Sequence, residues 1–369
     1  MEDRRNVREL TRRERLTRCY RHQEQDRPCV YIRTAFPPDD PSYDRLKAYM
    51  RAHTERKAFW DTAACESHHR IDRRREPHSD DWELEVLTLH TPAGPLQSTR
   101  LVSLKGQPGL DRSHFIKGPE DVETYLSLPL PDVGGDVSAH ARCEAAIGDA
   151  GIAEAGLGHN PGGVAVELLG SELFALMSVT HRDLLHALCE WRMNVLLNRL
   201  RYLLAHGVGP FFSISGEELI IPPVHSPRDF RDFNVRYDRP ILDMIHEAGG
   251  RVHVHCHGSI RKVIGDMVDV GIDVLHPFEP PPQGDITAAE AKAAARGRMS
   301  LEGNIQIDRM YGCGPDEIRE ETLALIRDAF DDRRGLTVCP TASPYMRDKG
   351  EACFPAFQAM IDTVTGWAP

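Results

Sequence analysis

The stretch SPRDFRDFNVRYDRPILDMIHEAGGRVHVHC, Ser226–Cys256, decides the fold. It opens on Ser-Pro, a helix start in which the serine caps and the proline occupies a first-turn position that needs no N–H donor. The helical pattern stops at Gly249-Gly250, and RVHVHC then alternates with the period-two rhythm of a strand. A helix followed at once by a short strand is one step of a parallel βα repeat.

Moving outward, the same step recurs. Strands are predicted at FFSIS (211–215), DVLHPF (273–278), MSLEGN (299–304) and LTVCPT (336–341), with helices between them such as GPDEIREETLALIRDAF (314–330), whose early acids suit a positive helix N-terminus. In the first half, PCVYIRTA (28–35) and AGIAEAGLG (150–158) are further strand candidates. WELEVLTLHTPAGPLQSTRLVSL (82–104) reads as an inserted β-hairpin turning near Pro92–Gly94, and residues 1–27 as a charged N-terminal helical extension. About eight strands in 369 residues fit one α/β domain over 1–369, a (β/α)8 TIM barrel, with an open doubly wound sheet as the alternative.

Composition narrows the function. A net charge of −11 and a pI near 5.9 exclude a general nucleic-acid binder, because no global positive field draws in phosphate. No apolar run approaches a membrane span, and MEDRRNVREL lacks the apolar core of a signal peptide, so a cytoplasmic protein is expected. Nine cysteines without a CxxC pair agree with a reducing compartment. The basic runs RRNVRELTRRERLTRCYRHQ and HHRIDRRREPH (68–78) read as a solvated surface helix and a solvated loop. Neither GVGP (207–210) nor GHNPGGV (158–164) has the glycine spacing of a nucleotide loop, and SISGE lacks the nucleophile-elbow pattern.

Barrel active sites lie at the C-terminal ends of the strands. Glu217 and Glu218 follow one strand candidate, His255 and His257 end the next, and His276 and Glu279 another. Glu302 and Asn304 close LEGN, while Cys339 and Thr341 close the last. On a strand His253, His255 and His257 face one way and Cys256 the other. Imidazoles at i and i+2 near a strand end span about 7 Å at the backbone, which side chains can close around a metal, and Cys339 or Glu218 suits zinc as a further ligand. The other reading makes these histidines hydrogen-bonding or acid–base groups of a polar barrel mouth.

From LTRRERLTRCYRHQEQDRP near the N-terminus to PAFQAMID near the C-terminus, and most closely in SPRDFRDFNVRYDRPILDMIHEAGGRVHVHCHG, GIDVLHPFEPPPQGD and LEGNI, the chain resembles the uroporphyrinogen decarboxylase superfamily. That superfamily also holds zinc-dependent methyltransferases that move methyl groups between corrinoid proteins and thiols such as coenzyme M. The resemblance implies a (β/α)8 barrel. The decarboxylases open on a strand like PVWxMRQAGR, whose arginines meet substrate carboxylates. Here PCVYIRTAFP keeps the first as Arg33 but has Pro37 in place of the second, and their FSDI strand end has no counterpart.

The methyltransferase branch carries His-x-Cys-Gly and a cysteine in the last strand. HCHG supplies His255 in the first ligand position and His257 in place of the cysteine, and Cys339 lies in the appropriate strand about three residues before the usual place near Ala342. The resemblance thus implies zinc on His255, His257 and Cys339, with Cys256 or Glu218 as alternative ligands. Glu218 and Glu279 are expected as bases or substrate anchors, and Arg33, Glu302, Asn304 and Tyr345 as substrate contacts. The expected activity is methyl transfer with a small-molecule substrate, and it admits a corrinoid on a partner protein and a homodimer. The alternatives are a metal-independent lyase acting on a carboxylated substrate, and a corrinoid- or tetrapyrrole-binding barrel without catalysis.

Overall fold

The computed structural model describes residues 9–106 and 108–368. In chain order the strands are β1 (Cys29–Val30), β2 (Arg56–Asp61), β3 (Ile71–Pro77), β4 (Trp82–Thr91), β5 (Gly94–Ser103), β6 (Leu110–Ser113), β7 (Gly151–His159), β8 (Phe211–Ser215), β9 (Arg251–His255), β10 (Val274–His276), β11 (Ser300–Ile305) and β12 (Leu336–Pro340). Eight of them form one curled, all-parallel sheet in the order β1-β12-β11-β10-β9-β8-β7-β2. Because β1 and β2 are consecutive in the chain yet stand at opposite ends of this order, the sheet curls back on itself in a TIM-barrel-like arrangement.

The 226–256 stretch shows why the steps form. Ser226 accepts from the backbone N–H of Asp229 while the Asp229 carboxylate returns to the Ser226 backbone, a capping box with Pro227 at the first position. The single helix expected there is broken. Pro227–Asp229 is followed by a wider π turn at Phe230–Val235 and then the helix Arg236–Glu247. Pro240 lies in that helix and offers no N–H to the carbonyl four residues back, so the loosened turn sits beside the missing bond. Tyr237, Ile241, Leu242 and Ile245 form its buried stripe. Val252 and Val254 of β9 pack outward into the same core as Ile241, Leu275, Leu301 and Val338. Fully burying each such side chain contributes roughly 1.5–3 kcal/mol.

The eighth strand of the curled sheet is Arg56–Asp61, which the apolar-pattern reading passed over, because its inward residues include Lys57. The inserted segment is a four-stranded antiparallel sheet, β3-β4-β5-β6, that contains the 82–104 hairpin and is separate from the curled sheet. The basic run at 68–78 is mostly β3 and not a loop. Arg73 and Arg75 meet Glu85 across the strands at 3.6 and 3.0 Å, and Arg74 meets Glu76 at 3.0 Å, so alternating charges hold an edge strand together.

The N-terminal helix spans Arg12–Tyr20 and is likewise more than a solvated surface. Leu16, Cys19 and Tyr20 are buried, and Arg15 is buried between Asp26 and Glu55, each at 2.7 Å. Residues 1–8 lie outside the described residues. No single described helix is long and apolar enough to cross a membrane.

Candidate active site

Strand alternation sends the valines and leucines outward and a set of polar side chains inward. Register then sets their neighbours. His255 of β9 pairs with His276 of β10, and Asn304 of β11 with Cys339 of β12. His255 Nδ1 and His276 Nδ1 lie 2.9 Å apart. The Arg33 guanidinium, just beyond β1, places Nη1 3.3 Å from the same His276 Nδ1. On its other edge, His276 Nε2 faces the Cys339 sulfur at 3.8 Å and the Pro340 carbonyl at 3.4 Å.

Below this layer lies a buried ionic chain. Tyr20 of the N-terminal helix donates its hydroxyl proton to Glu154 of β7. Lys57 of β2 sits 3.6 Å from Glu154 and 2.6 Å from Glu302 of β11. Lys57 therefore neutralises one of two carboxylates directly and leans on the second, an arrangement that buried charges require. Glu302 Oε1 has no hydrogen-bond partner, and neither has His253 Nε2, 3.5 Å away.

Among the described residues one group brings three metal-capable side chains together. Donor atoms of His276, Glu302 and Cys339, all buried, lie within 4.8 Å of one another. A nitrogen, an oxygen and a sulfur at that spacing match the donors zinc takes, and Glu302 keeps one carboxylate oxygen free of hydrogen bonds. The group therefore fits a metal. Lys57 opposes it, since an ammonium on the other carboxylate oxygen offsets much of the attraction for a cation.

Burial and neighbouring charges fix the protonation states. Burial, reinforced by Arg33, pushes His255 down to about 2 and His276 well below its usual value, so both rings are neutral. Burial opposes the charge on Glu302, but Lys57 and then His253 outweigh it and hold the carboxyl well below its ordinary range. Burial pushes the Cys339 thiol well up. Cys339 thus holds its proton until a cation or base takes it.

A cavity of about 350 Å³ opens over this layer, lined by Tyr31, Arg33, Lys57, Phe59, Ser213 and His255 among others. Its size suits a small molecule. Phe59 lies across Gly156, where an added Cβ would meet the ring at 2.1 Å, so the glycine makes room for an aromatic wall.

Of the residues singled out from sequence, Arg33 and His255 line this cavity, while Glu302, Asn304 and Cys339 are buried on the inner strands. His257 is turned to Glu279, with Nδ1 3.2 Å from Oε1, and the second Glu279 oxygen accepts from Gly258 N at 2.9 Å. His255 and His257 thus do not gather with Cys339 into the three-residue group. Glu218 accepts from Gly216 N at 3.2 Å, and Cys256 points away from the histidines, its thiol 3.7 Å from the His257 carbonyl. Tyr345 is 54% exposed and packs on Tyr311 outside the cavity. Sequence reasoning gave no role to Lys57, Glu154 or Tyr20 and assigned His276 no ligand function. Only the position of His276 at a strand end signalled it.

A search of curated proteins finds no match. Among solved structures, one titled "methyltransferase from Methanosarcina mazei" aligns over 97% of this chain and 99% of its own, with TM-score 0.62 and 13% identity. This is a likeness of fold. A B12-independent methionine synthase from Shewanella sp. W3-18-1 aligns over 80% of this chain and 76% of its own, at TM-score 0.42 and 12% identity. Over residues 156–340, which run from β7 through β12 and carry His253, His255, His276, Glu302 and Cys339, the sequence matches the family model described as uroporphyrinogen decarboxylase (URO-D), and the chain belongs to that family.

Proposed function

We propose that this chain is a zinc-dependent methyltransferase that moves a methyl group from a small methylated substrate, or from a corrinoid on a partner protein, to a thiol or other acceptor. The observation that carries this reading is the buried convergence of His276, Glu302 and Cys339, with one Glu302 carboxylate oxygen lacking a hydrogen-bond partner. In support, the fold is like that of a solved methyltransferase, and Pro37 stands where the decarboxylases have their second substrate arginine.

Zinc held by these three residues would lower the pKa of a substrate thiol or polarise a substrate oxygen. The chain's own residues do the rest. Arg33 orients an anionic substrate group, Phe59 and the serines of β8 shape the cavity, and Glu218 and Glu279 are the carboxylates that take a proton. His255, His257 and Cys339 are the alternative ligand set.

A second reading is favoured by one observation. Lys57 already neutralises Glu302, and Arg33 is hydrogen-bonded to His276, so the interior is electrically satisfied with no cation added. On that ground a metal-independent lyase acting on a carboxylate is the competitor. Elemental analysis of protein purified without chelator, followed by a turnover assay with methylcobalamin and a thiol, decides between them. About one zinc per chain with thiol methylation is expected. Absence of metal after reconstitution, together with no methyl transfer, would give the site to the lyase.

A further inference from the structure

The curled sheet does not close evenly. Tyr31 N donates to the Val338 carbonyl at 3.0 Å, which keeps this part of the chain with β12 and away from β2. Among the described residues, Glu55 N to the Val30 carbonyl, at 3.0 Å, is the backbone bond that spans the seam between β1 and β2, and the Val30 N–H turns to the Glu55 carboxylate at 2.7 Å. Beyond Val30 the wall is open.

A cavity of about 490 Å³ occupies this opening, larger than the one inside the curled sheet. Tyr31, Thr34 and Lys57 line both cavities and form their common wall. The seam cavity has an apolar body, formed by Ile32, Phe36 and Met50 with Pro37 and Pro38. Its charged lining is mainly basic. Arg51 and Arg56 are exposed and have no ion-pair partner among the described residues, while Lys47 reaches Asp44 at 3.4 Å. Of the acids that line it, Glu55 is consumed by Arg15 and Arg27, leaving Asp39. Arg51 and Arg56 thus set two guanidinium groups without ion-pair partners beside an apolar cleft, unlike the β3 arginines, which are all paired.

We infer that the seam between β1 and β2 is a second ligand site, which takes a small amphipathic organic anion. Its carboxylate or sulfonate meets Arg51 and Arg56, its apolar body lies on Phe36 and Met50, and its far end reaches Tyr31 and Lys57 at the wall of the inner cavity. Guanidinium groups favour such oxyanions, and an apolar body between convergent polar groups is how small-molecule sites are built. The site stands independently of the metal and of methyl transfer.

The test is a fluorescence titration of the intact protein with 1-anilinonaphthalene-8-sulfonate, with displacement by hexanesulfonate or hexanol. Saturable displacement by hexanesulfonate is expected, with hexanol at least about tenfold weaker. The Arg51→Ala/Arg56→Ala double variant should weaken hexanesulfonate about tenfold or more, and Met50→Trp, which fills the cleft, should do the same. Arg73→Ala, which removes a distant exposed guanidinium, should leave binding unchanged. Circular dichroism confirms that each variant is folded. Absence of saturable displacement, equal competition by hexanol, or parental affinity in both seam variants would overturn the site.

Discussion

The Nδ1 atoms of His255 and His276 face each other at 2.9 Å, so one ring donates there and the other accepts. The choice has consequences on the far side of His276. If His276 accepts at Nδ1, where one lone pair is shared between His255 and the more distant Arg33, its proton sits on Nε2 and points at the Pro340 carbonyl. If His276 instead donates from Nδ1, its Nε2 lone pair is free beside Cys339 and Glu302, and Arg33 loses its acceptor. A cation on His276 Nε2 would therefore require the tautomer in which Arg33 has no acceptor on this ring.

His276→Ala should accordingly remove nearly all bound zinc, whereas His257→Ala, which cuts the contact with Glu279 and the edge-on packing against His255, should leave about one ion per chain. Inductively coupled plasma analysis of both purified variants reads this directly. Loss of zinc in His257→Ala with retention in His276→Ala would transfer the site to the histidines of the HVHCHG segment.

Arg33→Ala should leave zinc content intact, because the guanidinium is not a ligand and its charge repels a cation. It should weaken binding of an anionic substrate by about 1.5–3 kcal/mol, roughly tenfold to a hundredfold, the usual worth of a charged hydrogen bond. Isothermal titration of parent and variant with the substrate identified by turnover checks this. Equal affinities would remove Arg33 from substrate recognition.

The steps of the fold were legible because apolar residues on β8, β9, β11 and β12 alternate visibly and glycines separate helix from strand. The exception is instructive. RKAFWD hides β2 because Lys57 faces inward to neutralise Glu302, so the chemistry of the interior erased the apolar pattern that marks a strand. The same limit applies to the site. HVHCHG drew the ligand assignment to neighbours in sequence, whereas the close group takes one residue from each of β10, β11 and β12, and only register places them together. Tyr20, more than a hundred residues before Glu154, carries no local mark of its role.

Lys57→Met should be among the most destabilising single changes in the chain. It leaves Glu302 and Glu154 buried without their cation, a loss of roughly 3–5 kcal/mol by comparison with other broken buried pairs. Adding Glu302→Gln removes one stranded charge and should restore part of that stability. Urea unfolding of the single and double variants measures both steps, and a single variant within about 0.5 kcal/mol of the parent would show that water or a proton compensates the carboxylates.

Asp238 accepts from Asn160 Nδ2 at 3.0 Å beside the buried Glu217. Burial pushes Asp238 up to about 8 despite the bond from Asn160, and burial with the Asp238 charge pushes Glu217 well up too. The folded chain therefore holds protons here that the unfolded chain has released above a pH of about 4. Stability from these protonated groups is full below that pH and is lost as the pH rises toward 8, with a slope of about 1.4 kcal/mol per pH unit for each proton. Asp238→Asn keeps an acceptor for Asn160 and cannot ionise, so it should flatten the decline in urea midpoint between pH 5 and 8 by about one proton's worth. An unchanged slope would mean that Asp238 is already ionised at neutral pH.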